Sequence, residues 1–384
     1  MVRQIATHMA RLGHEPCVLC FGSRNVSEEL EGVQVRRVAP FARVGSAPVG
    51  LSFIREFRRL AARADVINIH SPNPMGEVSA LLFGKNKKIV CTYHGDAQRP
   101  GFLLPGYDLL MRRFFSVCAA VTASSPKLAV HSRVLPSAAS KITIVPLGIP
   151  IEKYDRLPPD RFAVFPPPRG GREVYITHGL SSPSSEGDVA YRRQGESFCS
   201  DPFTVMFAGR LVYYKGVFVL IEALSRLKKA GEDVSALIVG SGPLEKEIKD
   251  AIISEQLENC VTVLPHQPDD IYRAMFARAD CFALPSTHKT EAYGIAILEA
   301  MASGLPVIST ELGTGTSWVN ENGRTGLVVP PGDPCALSEA IKYLAKHTEE
   351  RKKMGASALV RAREAFDEKT MLKAYEELFF GHEK

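Results

Sequence analysis

The sequence lacks the features of a membrane, secreted or fibrous protein. No uninterrupted apolar run approaches the length of about 18 residues that a membrane-spanning helix needs. The opening segment MVRQIATHMARLGHE does not resemble an export signal, because Arg3 and Arg11 bracket only a short amphipathic run. Charged residues make up 23% and hydrophobic residues 45% of the chain, which argues against wholesale disorder, collagen-like repeats and a coiled-coil rod. We therefore expect a folded protein without a membrane span.

Length and charge indicate two dissimilar halves. The chain has 384 residues, whereas single hydrophobic cores stop growing at roughly 250–300 residues. Residues 1–155 contain 20 Lys and Arg against 11 Asp and Glu, and the remainder contains 27 against 31. A basic half suggests nucleic acid, an anionic membrane surface or anionic substrates, with an ordinary solvated surface as the alternative. No base-stacking or recognition-helix motif accompanies this charge, so we expect no nucleic-acid partner.

The eight cysteines favour a reducing compartment. They are scattered and lie mostly inside apolar runs, where cysteine behaves as a small core residue, and this pattern fits the cytoplasm. Cys17 and Cys20 form a C-x-x-C, but in a strand positions three apart lie on opposite faces, and no second Cys or His pair is nearby. We expect neither a zinc site nor redox chemistry there.

Short apolar segments alternate with helical patterns along almost the whole chain. This rhythm predicts βαβ units and parallel sheets that are covered by helices on both faces. The predicted strands are CVLCF, QVRRV, DVINIH, KIVCTYH, AAVTAS and KITIVPLG in the first half and FTVMFAG, SALIVG, CVTVLPH, DCFALPS, PVISTE and TGLVVP in the second. The sequence therefore predicts an α/β protein with two Rossmann-like, doubly wound domains, and ligands are expected in the cleft between them.

The domain boundaries follow from composition. We predict an N-terminal domain over residues 1–155 and a C-terminal domain over residues 203–364. The segment 156–202 between them is rich in Pro, Gly and Ser and has no sustained period, which is typical of a linker with a surface insertion. The helical segment 365–384 is predicted to return to the N-terminal domain.

Two cations follow the first strand of the second half. Arg210 and Lys215 lie on the turn between FTVMFAG and the next helix. A strand's carboxyl end beside a helix N-terminus already favours phosphate, and two cations there strengthen that preference. Two ordinary solvated charges are the alternative.

Two carboxylates occupy a later strand-loop-helix junction, EAYGIAILE. Glu291 and Glu299 are eight residues apart, which is about two helical turns, so both can face one end of the cleft. Carboxylates there can accept hydrogen bonds from sugar hydroxyls. A phosphate or sugar oxygen could be held by the backbone N–H groups of Ala292, Tyr293, Gly294 and Ile295. Helix-start acids that balance the helix dipole are the alternative.

Taken together, AGRLVYYKG, EAYGIAILE and ELGTGTSWVNENGRTGLVVPPGDP resemble the retaining glycosyltransferases of family 4, which have the GT-B fold. The resemblance runs over nearly the whole chain. It implies transfer of a hexose from a nucleotide-sugar to a glycan or lipid-linked acceptor, in the cytoplasm, during polysaccharide or glycolipid biosynthesis. The segment ELGTGTSWVN looks like that of bacterial mannosyl- and deoxyhexosyltransferases, which favours GDP-mannose as the donor.

The resemblance also implies roles for individual residues. Arg210 and Lys215 would neutralise the donor diphosphate, Glu299 would bind the ribose hydroxyls, and Glu291 would read the sugar. His94, in CTYHGD, would lie near the transferred sugar, although a lone histidine is more often structural. Further donor contacts are implied for Gly209, Ala292, Tyr293, Gly294, Ile295 and Thr314, and weaker base contacts for Leu264 and His266, where a surface loop is the alternative.

Neither a metal nor a cofactor is expected. The sequence contains no Asp-x-Asp triplet, which agrees with metal-independent catalysis by the two cations. In the route commonly proposed for the family, the acceptor attacks from the face of the leaving group, and a diphosphate oxygen helps to deprotonate it.

The amino terminus departs from the family pattern. Family members usually begin with a strand and a Gly-Gly loop before the helix that here reads RQIATHMARLGHE. We therefore expect the first strand of the N-terminal domain to be missing and the true start to lie upstream. The same feature supports an alternative function, in which a truncated or non-catalytic protein of this fold binds a nucleotide-sugar or glycan.

Segments of the first half that mix basic and apolar residues are compatible with a membrane contact. In LSFIREFRRLAARA the apolar residues Leu51, Ile54, Phe57 and Ala61 share one side, with arginines elsewhere, and YDLLMRRFF adds a similar mixture. Buried amphipathic packing is the simpler interpretation of the helix. A basic rim that meets anionic lipid is compatible with it.

Overall fold

The structure, a computed structural model, describes residues 1–45, 47–97, 104–154 and 202–381. The predicted linker at 156–202 lies outside the described residues except for its last one. The described chain forms two α/β halves that meet across a cleft, and a final helix that packs on the first half.

The first half contains two separate sheets and a hairpin. Its elements are α1 (Val2–Arg11), β1 (Cys17–Phe21), β2 (Val26–Leu30), β3 (Val33–Val38), β4 (Ala42–Val44), β5 (Ala47–Val49), α2 (Leu51–Ala61), β6 (Val66–Ser71), α3 (Pro74–Phe83), β7 (Lys88–Tyr93), α4 (Leu104–Val117), β8 (Ala120–Ala123), α5 (Pro126–His131) and β9 (Ile142–Ile144). Strands β6-β7-β8-β9 form a parallel sheet, and β1-β3-β2 form a second sheet in which β2 is antiparallel. The strand β2 and the antiparallel β4–β5 hairpin were not predicted.

The second half is a doubly wound sheet. Its elements are β10 (Phe203–Ala208), α6 (Val217–Lys229), β11 (Val234–Val239), α7 (Glu245–Ser254), β12 (Val261–Leu264), α8 (Asp269–Phe276), β13 (Cys281–Leu284), α9 (Ile295–Ala302), β14 (Val307–Thr310), α10 (Thr316–Val319), β15 (Gly326–Val329), α11 (Pro334–Lys346) and α12 (Thr348–Ala365). The strands are parallel in the order β12-β11-β10-β13-β14-β15. The order reverses between β10 and β13, and such sheets bind ligands beyond the carboxyl ends of the strands at this point. The predicted fold class of two Rossmann-like domains is confirmed.

The last helix, α13 (Glu368–Phe380), packs against the first half. Asp367 caps its N-terminus by accepting a hydrogen bond from the Lys369 N–H. Its buried face includes Tyr375, whose hydroxyl lies 3.2 Å from the Thr122 hydroxyl of β8. Backbone hydrogen bonds from Ile149 to Phe366 and from Glu368 to Ile149 fix the crossing between the halves. The chain therefore passes between the halves twice.

Within the described residues, no helix combines the length and apolar character that crossing a membrane requires. The cysteines of this part of the chain are free thiols, and Cys91, Cys118 and Cys281 are buried in the cores.

Candidate functional site

A close approach of two loops places Lys215 beside Glu291. Gly216 has a φ of +74°, and a Cβ at that position would lie 1.9 Å from the carbonyl oxygen of Pro285, so only glycine fits. The Thr287 N–H donates to the Tyr214 carbonyl at 2.8 Å and ties the same two loops together. These contacts join the carboxyl end of β10 to that of β13, where the strand order reverses.

Lys215 and Glu291 form a buried ion pair. The Nζ of Lys215 lies 2.5 Å from Oε2 of Glu291, and the two side chains are 14% and 9% exposed. Ser286 donates a longer hydrogen bond of 3.4 Å to the same oxygen. Thr314 is also buried, and its hydroxyl donates to the Glu291 backbone carbonyl at 2.8 Å. The cation and the carboxylate are therefore held before any ligand arrives, which is the condition for electrostatic preorganisation.

The turn after Glu291 presents backbone donors. Gly294 has a φ of +81° and precedes α9, so the chain enters the helix through a conformation that favours glycine. Among the described residues, no acceptor is recorded for the N–H groups of residues 292–295. Free N–H groups at a helix start form an anion site. The ring of Tyr293 points away into the core and packs against Trp318 and Phe366, so its side chain is structural.

A cavity of about 530 Å³ lies beyond the carboxyl ends of β10, β11 and β12. Its floor is formed where the loops after β10 and β11 touch: a Cβ at Gly240 would lie 1.9 Å from the Gly209 carbonyl oxygen. The polar lining side chains are Lys153, Tyr154, Arg210, Ser241, His266, Asp269, Tyr272, Arg273 and Glu299. Arg210 is exposed at this cavity, so its charge is available to a ligand.

Glu299 lines the cavity and is held by two tyrosines. The Tyr154 hydroxyl donates to its Oε1 at 3.0 Å, and the Tyr272 hydroxyl donates to its Oε2 at 2.6 Å. Burial raises the pKa of Glu299, whereas the two phenol hydrogen bonds and the nearby Lys215 act in the opposite direction. Because α9 begins only at Ile295, half of the spacing between the two glutamates is not helical, and they contact different partners.

His94 lies at the end of β7 and is joined to a second histidine. Its Nε2 lies 2.9 Å from Nδ1 of His70, at the end of the neighbouring strand β6. Burial is the largest cause that lowers the pKa of both rings; for His70, burial together with smaller contributions from His94 and the chain's amino group lowers the pKa to about 3. Both rings are therefore neutral at neutral pH.

Contacts across the cleft bring the two halves together at this site. A Cβ at Gly95 would lie 3.6 Å from the Cβ of Ala292. Lys127, on α5, donates to Glu311 Oε2 at 2.7 Å and to the Ser317 hydroxyl at 2.8 Å. Burial raises the pKa of Glu311, but Lys127 and the other hydrogen bonds outweigh that effect, so the pKa is lowered.

Of the remaining predicted residues, some line the cavity and others do not. His266 lines the cavity, whereas Leu264 is the last residue of β12 and packs against the core. Gly209 borders the cavity, and a Cβ there would lie 3.6 Å from the Lys215 stem. The Ile295 side chain is exposed. Among the described residues, no group of three or more His, Cys, Asp or Glu side chains is placed to hold a metal ion.

Several residues at the site were missed in the sequence, among them Tyr154, Tyr272 and His70 and the charged cavity-lining residues Lys153, Asp269 and Arg273. Tyr154 and Tyr272 were hidden because each becomes a Glu299 donor only when distant segments meet. His70 could have been found, because it ends the predicted strand DVINIH beside the strand that carries His94. A polar side chain at the carboxyl end of a parallel strand is a signal for a site.

Comparison with known proteins adds independent information. Residues 1–153 match the family profile described as Glycosyltransferase Family 4, and residues 191–361 match the profile described as Glycosyl transferases group 1. D-rhamnosyltransferase WbpZ of Pseudomonas aeruginosa is 33% identical over 335 residues, which is 87% of this chain and 78% of that protein. O-antigen chain mannosyltransferase C of Escherichia coli is 29% identical over 338 residues, covering 88% and 80% of the two chains.

The fold has solved counterparts. Sucrose-phosphate synthase of Thermosynechococcus elongatus superposes with a TM-score of 0.74 at 17% identity, covering 98% of this chain and 91% of that one. At this level of identity the likeness describes the arrangement of the two halves and not the ligand.

Proposed function

Because the chain is a glycosyltransferase that belongs to family 4, we propose that it transfers a hexose from a nucleotide-sugar, with GDP-mannose or a related GDP-sugar favoured, and retains the anomeric configuration. The acceptor is a glycan or lipid-linked glycan in polysaccharide synthesis. The names of the two relatives, a D-rhamnosyltransferase and an O-antigen chain mannosyltransferase, support transfer of mannose or a related deoxyhexose in polysaccharide synthesis.

The observation that carries the proposal is a cavity with adjoining loops that together offer a complementary group for each part of the donor. Arg210 and Lys215 supply positive charge for the diphosphate, and Glu299 supplies carboxylate oxygens for the ribose diol. His266 and the end of β12 border the cavity where a base would lie. The turn at 292–295 supplies N–H donors for the sugar or a phosphate oxygen.

The proposed mechanism depends on charge. When the bond from the anomeric carbon to the phosphate breaks, negative charge grows on the diphosphate, and preorganised cations stabilise it most effectively. Arg210 and Lys215 take this role without a metal. The acceptor attacks from the face of the leaving group, its proton passes to a diphosphate oxygen, and the new glycosidic bond keeps the configuration of the donor.

The nucleotide can be tested by thermal unfolding. We expect GDP to raise the melting temperature more than UDP or ADP at the same concentration, because a ligand that binds the native state stabilises it by about 2.7 kcal/mol at 100 times its Kd. The same series with the Arg210→Ala variant is the control, and there the GDP shift should shrink. A larger shift with UDP would contradict the GDP assignment.

Turnover tests the activity itself. Purified protein with GDP-mannose should release GDP, and release should continue in EDTA. NMR of the product with an acceptor glycan should show an α-linkage from an α-linked donor. Binding of nucleotide-sugar without any release would instead support the non-catalytic alternative.

We also propose that the protein works at the inner face of the cytoplasmic membrane, through a patch that we name the hairpin surface. It consists of the exposed residues Phe41, Arg43, Val44, Leu51 and Arg55. Phe41 and Leu51 are 73% and 74% exposed. The Phe41 N–H donates to the Val49 carbonyl at the base of the hairpin, which holds Phe41 against the chain two residues before Leu51. Exposed apolar side chains beside arginines suit an anionic lipid surface.

The apolar side of α2 that the sequence predicts is only partly exposed, so only part of it is available for contact with lipid. Phe57 and Ala61 are buried, and Ile54 is half-buried, so most of that side of α2 packs against the core. Leu51 alone of the four is exposed. On α4, Leu109 is exposed while Phe114 and Phe115 are buried.

Vesicle binding tests the hairpin surface. The double variant Phe41→Ser, Leu51→Ser should bind phosphatidylglycerol vesicles at least about tenfold more weakly, because burying one such side chain is worth about 1.5–3 kcal/mol. Ile253→Ser is the matched control, since Ile253 is an exposed apolar residue on α7 in the other half. Equal binding by all three proteins, measured by flotation, would show that this surface does not contact lipid.

A further inference from the structure

Two strand ends place a pair of histidines at the cleft. β6 and β7 are parallel neighbours with His70 opposite Thr92, and the His94 N–H donates to the Ser71 carbonyl at 2.9 Å. This backbone hydrogen bond extends the pairing by one residue beyond the strands. The ring centroids are 5.2 Å apart and the ring planes are 21° from parallel, so the rings lie edge to edge in nearly one plane, as a hydrogen bond between ring nitrogens requires. The geometry is therefore fixed by sheet pairing and not by chance contact on a loop.

The link between the rings restricts what His94 can do. His70 Nδ1 and His94 Nε2 are 2.9 Å apart, and a hydrogen bond between two neutral rings needs one protonated and one unprotonated nitrogen. Nε2 of His94 is thus committed to His70. Nδ1 is the ring nitrogen that remains for a ligand, and no described residue is recorded as its partner.

The orientation of His94 matters because its turn faces the other half. Gly95 approaches Ala292, next to the buried pair of Lys215 and Glu291. A group that enters the cleft between the halves meets the His94 turn on one side and the 292–295 turn on the other.

We propose that His70 is a positioning residue that holds the ring plane and tautomer of His94, so that Nδ1 of His94 meets the sugar in the cleft. The proposal rests on the proposed glycosyltransferase function for its consequence in turnover. If His70 were only a structural residue of the core, it would contribute packing, and its hydrogen bond to His94 would have no effect on the reaction. Residues that orient the groups touching a ligand typically change activity by about 10- to 100-fold when they are removed.

Two variants of similar size separate these roles. In His70→Asn, the side-chain amide stands near the position of Nδ1 and keeps a hydrogen bond to His94. In His70→Leu, a side chain of nearly the same shape has no polar atom. We expect His70→Leu to lower kcat for GDP-mannose turnover by about 10- to 100-fold with little change in KM. We expect His70→Asn to stay within about threefold of the wild type, a difference worth less than about 0.7 kcal/mol.

Asn68→Leu is the matched control. Asn68 lies two residues earlier on β6 and exchanges hydrogen bonds of 3.2 Å with Thr92 on β7. Its loss removes a cross-strand hydrogen bond from the same two strands without touching His94. The control should lower the melting temperature but leave kcat unchanged.

The second readout does not depend on turnover. Long-range ¹H–¹⁵N spectra of histidine-labelled protein at neutral pH, assigned with a His94→Gln variant, report the tautomer of each ring. The wild type and His70→Asn should show a single neutral tautomer for His94, and His70→Leu should show a mixture. A mixed tautomer in the wild type, or wild-type kcat in a folded His70→Leu variant, would overturn the proposal. If the wild type turns over no donor, the proposed function fails, while the spectra still decide the role of His70.

Discussion

Replacing Lys215 with methionine is expected to abolish most of the activity and to destabilise the protein. Loss of one preorganised group that stabilises developing charge costs about 10³-fold in kcat. The substitution also leaves Glu291 as an unpaired carboxylate that is only 9% exposed, and breaking a buried pair from one side costs about 3 kcal/mol or more. GDP release from GDP-mannose and urea unfolding measure the two effects.

Two further variants separate catalysis from folding. In the double variant Lys215→Met, Glu291→Gln both charges are gone, so we expect stability to return to within about 1 kcal/mol of the wild type while activity stays absent. Arg210→Ala removes a cation that is exposed at the cavity, and surface substitutions change stability by about 0.5 kcal/mol or less. It should lower kcat without lowering stability. A stable, active Lys215→Met protein would remove Lys215 from the mechanism.

The family and its GT-B fold were predictable because local patterns and global fold agree. The family prediction is confirmed by the matching profiles and relatives, and the fold by the solved structures. In the second half the strand-loop-helix junction predicted for EAYGIAILE is observed, with the helix at Ile295–Ala302, because Gly294 can adopt the positive φ that starts it. Buried parallel strands are continuous apolar runs, and these are the easiest signals to recognise.

The missed elements of the first half have weak patterns. β2 reads VSEEL, which is mostly polar, and it is antiparallel to β3. β4 and β5 are three residues each and contain an arginine and a proline. Short strands with polar or proline residues are sheet edges or hairpins, and their pairing depends on neighbours that the local sequence does not reveal.

For the candidate site, the sequence motifs pointed to individual residues but not to the contacts between them. Motifs pointed to Arg210, Lys215, Glu291 and Glu299, and the structure places all four around the cavity and its adjoining loops. The ion pair between Lys215 and Glu291 depends on the contact of Gly216 with Pro285, about 70 residues apart in the sequence. Such contacts arise from the sheet order, which a single sequence does not specify.

Replacing Glu299 with glutamine is expected to have the second large effect: it should lower the affinity for the nucleotide without lowering the stability of the protein. The carboxylate accepts hydrogen bonds from Tyr154 and Tyr272 in the free protein, and the ribose hydroxyls of the donor would replace or join them. A hydrogen bond to a charged acceptor is worth about 1.5–3 kcal/mol. Glu299→Gln should therefore weaken GDP binding by about tenfold to 100-fold in calorimetry.

The sign of the stability change follows from the pKa of Glu299. Burial raises it, so the native state binds the proton more tightly than the unfolded chain does. The native state therefore prefers the neutral carboxyl, and this group's contribution to stability falls as pH rises through the raised pKa. The neutral Glu299→Gln variant should be at least as stable as the wild type at neutral pH.

The pH dependence of binding completes the test. As pH falls through the raised pKa, Glu299 becomes protonated and loses acceptor strength, so wild-type GDP affinity should decline at a higher pH than an ordinary glutamate would require. That decline should be absent in Glu299→Gln. Tyr154→Phe is the control, since it removes a competing donor and keeps the carboxylate; its GDP affinity should stay within about threefold of the wild type. Unchanged GDP affinity in Glu299→Gln would show that Glu299 does not bind the ribose and would leave Asp269 as the carboxylate of the cavity lining that could do so.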